Sequence, residues 1–423
     1  MNVWVVTTHD PIPGIDTSIR TLRYGLLSES LLKKGHSVVM WTSDFAHWNK
    51  QNRQIETGTI DIRPGFTAEF LKAKPYYKNR SINRIAHNRR IAKSFRLRTK
   101  CYTQLPDIII AEIPCLELAE AGAQFAKANK IPFVVDIQDV WPDVYLFTLP
   151  KWLATIGRLF LVREYARLKN IVRNSTGVTA VSHTYLKWAT QKAGRSIEFN
   201  DRIFELGYSM PNNATNLEAI SFQDSFLKNY HITKDMFVIS FLGQFGHSYD
   251  LNTVIAAASI LQQDCSLPQH RFVLAGNGDS EPQIKKLASN VKSVLFTGWL
   301  NHAGSVALMN SSDLALAAYS SRALQSLPYK PFEYMAYGLP ILNSLKGELS
   351  ELINREFIGT NYQSGDPRSL ARAIRRFMLD PEYTLACSRR SSELFKLRFE
   401  SDIIYTSMVS YLESIVYTYR TSR

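Results

Sequence analysis

Lys330 and Glu333 stand three residues apart in LPYKPFEYMAYGLPILNS, the stretch from Leu327 to Ser344, and that spacing sets both side chains on one face of a helix. Pro328 and Pro331 suit the first turn of a helix, where a missing N–H costs nothing, and Gly338 suits its C-terminal cap. A helix start offers unpaired amides and the positive end of its dipole to an anion. Lys330 would add an ammonium for a phosphate, and Glu333, one turn deeper, would accept hydrogen bonds from a pair of hydroxyls. A ligand carrying both groups, such as a nucleotide sugar, fits this outline. The plain alternatives are a surface lysine and a solvated glutamate. A lysine is slightly misplaced at the positive end of a helix, and Glu333 lies inside an apolar string that should be buried. The chemical reading is preferred for both.

Other motifs follow apolar runs in the second half. Phe241-Leu242-Gly243 precedes a helical pattern, then come Leu274-Ala275-Gly276-Asn277-Gly278, Phe296-Thr297-Gly298-Trp299-Leu300, and Gly365-Asp366-Pro367 before Leu370. With Lys330, the Phe-Glu-Tyr-Met-Ala that follows Pro331, and Gly-x-Pro before a strand, this order resembles the nucleotide-binding half of family 4 (group 1) glycosyltransferases, retaining enzymes of the GT-B fold. The first half resembles them less, mainly through Gly35-His36-Ser37-Val38-Val39 and through DIQDVWPD, Asp136 to Asp143. The latter looks like the bacterial branch that builds O-antigen, capsule and related surface polysaccharides.

The resemblance implies roles residue by residue. Lys330 would stabilise the departing diphosphate, and Glu333 matches the second acid of the family's Glu-x7-Glu motif, which contacts the ribose hydroxyls. The first acid would fall eight residues earlier, where this chain has Gln325. An amide can still hydrogen-bond sugar hydroxyls but carries no negative charge. Around Gly243 and Gln244 many relatives place an Arg and a Lys, and this loop has neither. Gly276, Asn277 and Gly278 either let a ligand approach the backbone or form a simple turn. Trp299 sits where relatives hold the base, and either Glu348 or Glu351 would face the transferred sugar. In the first half, Gly14 either lets the backbone approach donor or acceptor, or belongs to a plain loop. Gln138 and Asp139 stand where many relatives have His-Asp; Asp139 either lies near the acceptor hydroxyl or, with Asp143, caps the next helix. Lys330, Asp139 and Gln325 are therefore the catalytic candidates, and the others are donor-binding. His9 and His247 read as lone histidines. No Ser-His-Asp set, Walker loop or Cys/His metal spacing occurs, so no metal or cofactor is expected beyond the nucleotide-sugar substrate.

Charge separates the two halves. The net charge is +13, yet residues 1–200 hold 29 basic and 16 acidic side chains while residues 201–423 hold 21 of each. Lys72 to Lys100 contains eleven cations and no acid, interleaved with Tyr76, Tyr77, Ile82, Ile85, Ile91 and Phe95; Lys151 to Arg173 holds six cations against Glu164. Such segments suit an anionic membrane surface. No nucleic-acid module surrounds them, so nucleic acid is not expected as a partner. A lipid-linked acceptor, polyprenyl-diphosphate in type, explains why only one half is basic. No window of 18 uncharged apolar residues occurs, and the N-terminal MNVWVVTTHDP reads as a first strand, not a signal peptide. The four cysteines are too sparse for a disulfide framework and read as buried small apolar residues. These readings together point to a cytoplasmic, peripheral location on the inner face of the plasma membrane.

Strand-like runs alternate with helical patterns throughout, which predicts an α/β chain with two doubly wound, Rossmann-like domains facing an interdomain cleft. The first spans residues 1–206 and would bind the acceptor and the membrane. Residues 207–400 would bind the nucleotide sugar, after a polar interruption at Leu206 to Asp235. Ile404, Met408, Tyr411, Leu412, Ile415 and Val416 predict a last helix, 401–423, returning to the first domain. Two other functions suit the same scaffold. One is a nucleotide-sugar epimerase, which needs no acceptor; the other is a membrane- or nucleic-acid-binding protein without turnover.

Overall fold

The computed structural model describes residues 1–422 except Ser18, Asn79, Arg80, Thr148 and Lys234, and only the backbone of Lys151 and Ala154. Arg80 and the Lys151 side chain, both counted among the basic runs above, therefore lie outside the described residues. The chain divides into two compact units, Met1–Glu205 with Asp402–Arg423, and Leu206–Ser401.

The first unit holds an eight-stranded sheet. Its order is Arg202–Ile203, Gly177–Ala180, Phe133–Ile137, Ile108–Ile113, Asn2–Val6, Ser37–Ser43, Phe66–Leu71, Gly58–Arg63. All neighbours are parallel except the last pair. Strand order reverses between Asn2–Val6 and Ile108–Ile113, and ligands of such sheets bind beyond the carboxyl ends at that point. The strands are apolar runs buried on both faces, as parallel strands between helices require. One charged pair lies in this core: Arg23 Nε is 2.7 Å and Nη2 2.8 Å from the two oxygens of Asp136, which also accepts from Tyr24 and Thr179. Burial opposes the Asp136 charge, but Arg23 and these hydrogen bonds hold its carboxyl below the usual range.

The first helix begins at Arg23, where the Asp10 carboxylate accepts the Tyr24 N–H and fixes the first turn. The last helix, Ser401–Thr421, buries Ile404, Met408, Leu412 and Ile415, and Tyr411 donates to the Asn200 carbonyl at 2.7 Å. Among the basic segments, Tyr76, Ile91 and Phe95 are core residues. The helix Ile82–Arg98 thus turns one face inward, and its cations outside that face are solvated. Acids answer some of the cations in both basic segments: Arg98 pairs with Glu69, and Arg167 lies within 3.7 Å of Glu117, Glu120 and, on its own helix, Glu164.

The second unit holds a six-stranded, all-parallel sheet. Its order is Val294–Gly298, His270–Ala275, Phe237–Leu242, Leu314–Ala317, Ile341–Asn343, Gly359–Asn361. Here the order reverses between Phe237–Leu242 and Leu314–Ala317. The stretch read as an interruption contains a helix, Asn213–Asn229, capped by Asn212 through the Thr215 N–H at 2.9 Å. Its pattern is weak because it buries little, mainly Ala219 and Phe226; Ala219 packs with Ala303 and Val306 of the helix His302–Asn310. Two cysteines depart from expectation: Cys101 and Cys265 are exposed, and Cys115 and Cys387 are buried.

Candidate functional site

In the second unit the helix Tyr329–Ala336 begins after Pro328 and ends at Gly338, whose φ is +65°. The Gly338 and Leu339 amides close the last turn onto Met335 and Tyr334. Tyr334 fixes the helix against the sheet. Its hydroxyl accepts from the Leu242 N–H at 3.2 Å and lies 3.4 Å from the Leu316 carbonyl, so the helix packs at the carboxyl ends of the two strands where order reverses. Lys330 Nζ reaches Glu333 Oε2 at 2.7 Å, and the Glu333 side chain is 1% exposed while that of Lys330 is 25% exposed. The acid is deep and the cation lies at the rim. Each of these two residues makes further contacts as well.

The glycine loops are bound to one another. Gly243 N donates to Ala275 O at 3.0 Å, Phe245 N to Asn277 O at 2.8 Å, and Gly276 N to Gly298 O at 2.8 Å. A Cβ on Gly276 would lie 1.8 Å from Gly243 O, and one on Gly278 2.5 Å from Phe245 O. Protein backbone alone therefore accounts for both glycines, whose φ values are +143° and +155°. Gln244 and Asn277 are exposed beside them, and Trp299 follows at 68% exposure. Glu348 Oε1 accepts from Ser326 Oγ at 2.8 Å, which brings it beside Gln325; Glu351 is exposed. Gln325 Oε1 is buried with no hydrogen-bond partner among the described residues. The structure thus gathers Lys330, Glu333, Gln325, Glu348, Gly243, Gln244, Gly276, Asn277, Gly278 and Trp299 at one edge of this sheet.

Asp139 and Gly14 belong to the other unit. Asp139 accepts from the Val140 N–H at 2.8 Å and from Trp141 Nε1 at 3.1 Å, contacts local to its own turn. Asp143 accepts from Tyr165, Trp188 and Lys192. Gly14, at φ +85°, is in a tight turn closed by Asp16 N to Ile12 O at 2.9 Å.

The first unit also contains a cluster that the sequence does not announce. His9 is not isolated: its Nδ1 is 2.7 Å from Glu112 Oε1, and Arg84 Nη2 is 2.8 Å from its Nε2. An arginine only donates, so Nε2 accepts and Nδ1–H donates to Glu112. The His47 ring lies 4.5 Å from that of His9, His47 is hydrogen-bonded to Tyr76, and Lys50 Nζ stands 3.3 Å from His47 Nδ1. Burial pushes the Glu112 carboxyl up to about 7, against hydrogen bonds from the Thr8 N–H and hydroxyl. Burial and the Glu112 charge bring Asp10 to about 7 as well. Burial, then neighbouring positive groups, pull His9 and His47 far below the usual imidazole range. Two signals were available, the Thr-Thr-His-Asp directly after the first strand and an acid ending a buried apolar strand. Among the described residues, no group of three or more His, Cys, Asp or Glu could hold a metal ion.

Residues 222–393 match the sequence model of the family described as glycosyl transferases group 1. The chain carries a glycosyltransferase domain. No curated protein matches the sequence, but solved structures of similar fold span nearly all of it. Sucrose-phosphate synthase from Thermosynechococcus elongatus is 16% identical, with 99% of each chain covered and a TM-score of 0.72. HepE from Anabaena, solved with UDP and glucose, is 15% identical over 98% of this chain and 100% of its own, with a TM-score of 0.64. WaaG, a glycosyltransferase of lipopolysaccharide biosynthesis, is 13% identical over 94% and 96%, with a TM-score of 0.58. Identities this low show the fold alone, which is GT-B: two Rossmann-like units, the second carrying the matched glycosyltransferase domain.

Proposed function

We propose that this glycosyltransferase is a retaining enzyme of family 4 that moves a sugar from a UDP-sugar to a polyprenyl-diphosphate-linked acceptor in bacterial surface-polysaccharide biosynthesis, in the O-antigen and capsule branch. One observation carries the donor part: a rim cation on the first turn of a helix, Lys330, paired with a buried carboxylate one turn deeper, Glu333, the helix being held over the point where strand order reverses. Lys330 and the helix-start amides bind the diphosphate and stabilise the charge that develops as it leaves. Glu333 accepts from the ribose hydroxyls, Trp299 and the Gly243–Gln244 loop hold base and phosphate, and Glu348 with Gln325 faces the sugar. HepE and a trehalose-6-phosphate protein from E. coli, structural neighbours of this chain, were solved with UDP-glucose and UDP-2-fluoro glucose, which supports the choice of nucleotide. Asp139 is assigned to the acceptor side.

The membrane part rests on the first unit. Trp152, Ile156, Leu159 and Phe160 form a stripe at helical spacing along Lys151–Phe160, and all four are exposed, Phe160 at 83%. Arg158 and Arg163 flank it, and the solvated cations of Lys72 to Lys100 add charge. An amphipathic helix of this kind suits a lipid interface, which supports the reading of a peripheral enzyme on the cytoplasmic face of the plasma membrane. No helix among the described residues is long and apolar enough to cross a membrane. Release of UDP from a panel of UDP-, GDP- and dTDP-sugars, with and without a lipid-linked acceptor, tests the reaction. Acceptor-dependent release from a UDP-sugar with retained anomeric configuration is expected; acceptor-independent isomerisation of the donor would make it an epimerase, and no turnover a binding protein. Salt-sensitive flotation with anionic vesicles and none with neutral ones tests the membrane part.

A further inference from the structure

The cluster around His9 stands where the first sheet reverses strand order, the place where such sheets bind ligands, yet the donor chemistry assigned above uses none of it. Two cations converge on one aromatic ring there: Lys50 Nζ lies 4.8 Å and the Arg84 guanidinium 5.7 Å from the centre of Tyr76. Arg84 also lies 4.4 Å from the centre of the Trp141 ring. Trp141, with Ile85, Pro142, Tyr145, Leu159 and Phe160, lines a pocket of about 540 Å³, a volume suited to a small ligand. Arg89 and Arg163 line it too, while its carboxylates, Glu117 and Glu164, both lie within 3.7 Å of Arg167. A cationic cluster and a largely apolar pocket therefore share Trp141.

We propose that cluster and pocket form one site for an amphiphilic phosphate: Lys50, His47 and Arg84 take the phosphate of the lipid-linked acceptor, and the pocket beyond Trp141 takes the first part of its hydrocarbon chain. This rests on the acceptor class inferred above and names the residues that bind it. The charge distribution fits an anion. Glu112 is turned to His9 Nδ1 and Thr8, while burial and the Arg84 charge both push the Lys50 ammonium down to about 8; an arriving phosphate relieves that repulsion. The pocket decides between phosphates. A free sugar phosphate would leave its apolar walls facing water, whereas a prenyl chain removes that area from water. Leu159 and Phe160 also belong to the exposed stripe assigned to the lipid surface, so the pocket draws its wall from that helix.

The test is calorimetric binding of farnesyl diphosphate to the full chain, below its micelle-forming concentration, against inorganic pyrophosphate and glucose 6-phosphate. Farnesyl diphosphate should bind at least about tenfold more tightly than either, the worth of one good contact or buried apolar group. Lys50→Ala should weaken farnesyl diphosphate about tenfold and Lys50→Arg should restore it. Phe160→Ser, at an exposed side chain, should weaken farnesyl diphosphate and leave glucose 6-phosphate unchanged. Equal affinity for farnesyl diphosphate and glucose 6-phosphate would overturn the lipid assignment, and wild-type binding by a folded Lys50→Ala chain would overturn the site. The series is repeated in Lys330→Ala: if farnesyl diphosphate affinity falls there and not in Lys50→Ala, the other unit binds it and the proposal fails. Because none of these readouts uses sugar transfer, failure of the donor reading alone leaves the result intact.

Discussion

Both sheets reverse strand order beside their first strand, and the two reversal points are furnished in opposite ways. In the second unit the edge is made largely of backbone: glycine loops bound to each other and a helix start, joined by the ion pair Lys330–Glu333. In the first it is made of side chains, His9, Lys50, His47, Arg84 and Glu112, with two carboxyls raised to about 7 by burial. A backbone site suits a diphosphate, whose charge is met by amides and one cation. A side-chain cluster suits a ligand that differs from one enzyme to the next, because each contact can be exchanged without moving the chain.

If the second unit holds the leaving group, Lys330→Ala is the largest break available there. Sugar transfer should fall about 100- to 1,000-fold, the usual loss when one donor to a developing anion is removed. The same change leaves the Glu333 carboxylate buried without its ammonium, so the thermal midpoint should fall as well. Glu333→Ala should lose comparable activity. Asp139→Asn is the contrasting case in the first unit: if Asp139 only holds its own turn, transfer falls less than about tenfold. A larger loss would put catalytic work at both edges.

Glu112→Gln probes the buried cluster through pH. Folding raises the Glu112 carboxyl from 4.5 to about 7, so the folded chain keeps a proton that the unfolded chain releases. The associated stability is fully present below about 4.5 and is lost as pH climbs through about 7, by roughly 3 kcal/mol at most. The glutamine variant should match wild type near pH 4 and melt higher at pH 8. Parallel midpoint curves for the two chains across that range would show that the carboxyl is not raised. Asp10 titrates in the same window, so some slope remains, though less steeply once the Glu112 charge that raises it is gone.

Gly276→Ala tests how rigidly the backbone edge is built. Its Cβ would meet Gly243 O at 1.8 Å with φ at +143°, and the expected loss is about 2–3 kcal/mol, with weaker UDP binding by the same chain. Gly35→Ala in the first unit is the control: φ is also positive, at +77°, but its Cβ would meet nothing within 4 Å. There the cost should be only the backbone term, about 1 kcal/mol. Equal losses at the two positions would mean that the interlocked loops yield easily.

The same contrast explains what the sequence could show. Strands such as Phe237–Leu242 and Ile341–Asn343 were legible because parallel strands are unbroken apolar runs. The helix Tyr329–Ala336 was legible because prolines and glycine mark both its ends. The helix Asn213–Asn229 was not, since it buries only a narrow stripe and leaves almost no periodicity. The hairpin-like pair Gly58–Arg63 and Phe66–Leu71 escaped for a related reason: its outer strand alternates exposed and half-buried residues at the sheet edge. The cluster at positions 9, 47, 50, 84 and 112 showed in the sequence only as hints at His9 and Glu112, each near the end of a buried strand. Its members are far apart in the chain, and only the strand order brings them together. The basic segment misled in part, because charge counts do not reveal that Ile91 and Phe95 turn into the core.

The smallest effect is expected where the two units look most alike. Asp10 and Asp250 each follow the first strand of their sheet and cap the next helix, at Tyr24 N and Thr253 N. Asp250 also accepts from Ser364 Oγ and Gly365 N, both at 2.7 Å, and so joins the Gly365-Asp366 turn to the helix. Asp250→Ala should cost about 1 kcal/mol for the cap and somewhat more for the orphaned turn, and Asp250→Asn about 1 kcal/mol, because Thr253 N and Gly365 N use different carboxylate oxygens and an amide has only one that accepts. At Asp10 the ranking inverts with pH. Asp10→Asn keeps the cap and removes a carboxyl that burial raises to about 7, so it should stabilise the chain at pH 8 and change little at pH 4. Thermal midpoints of the two asparagine variants at those two pH values isolate the effect of burial from the effect of capping. A pH-dependent gain at Asp250 equal to that at Asp10 would remove the distinction between an edge of backbone and an edge of buried charge.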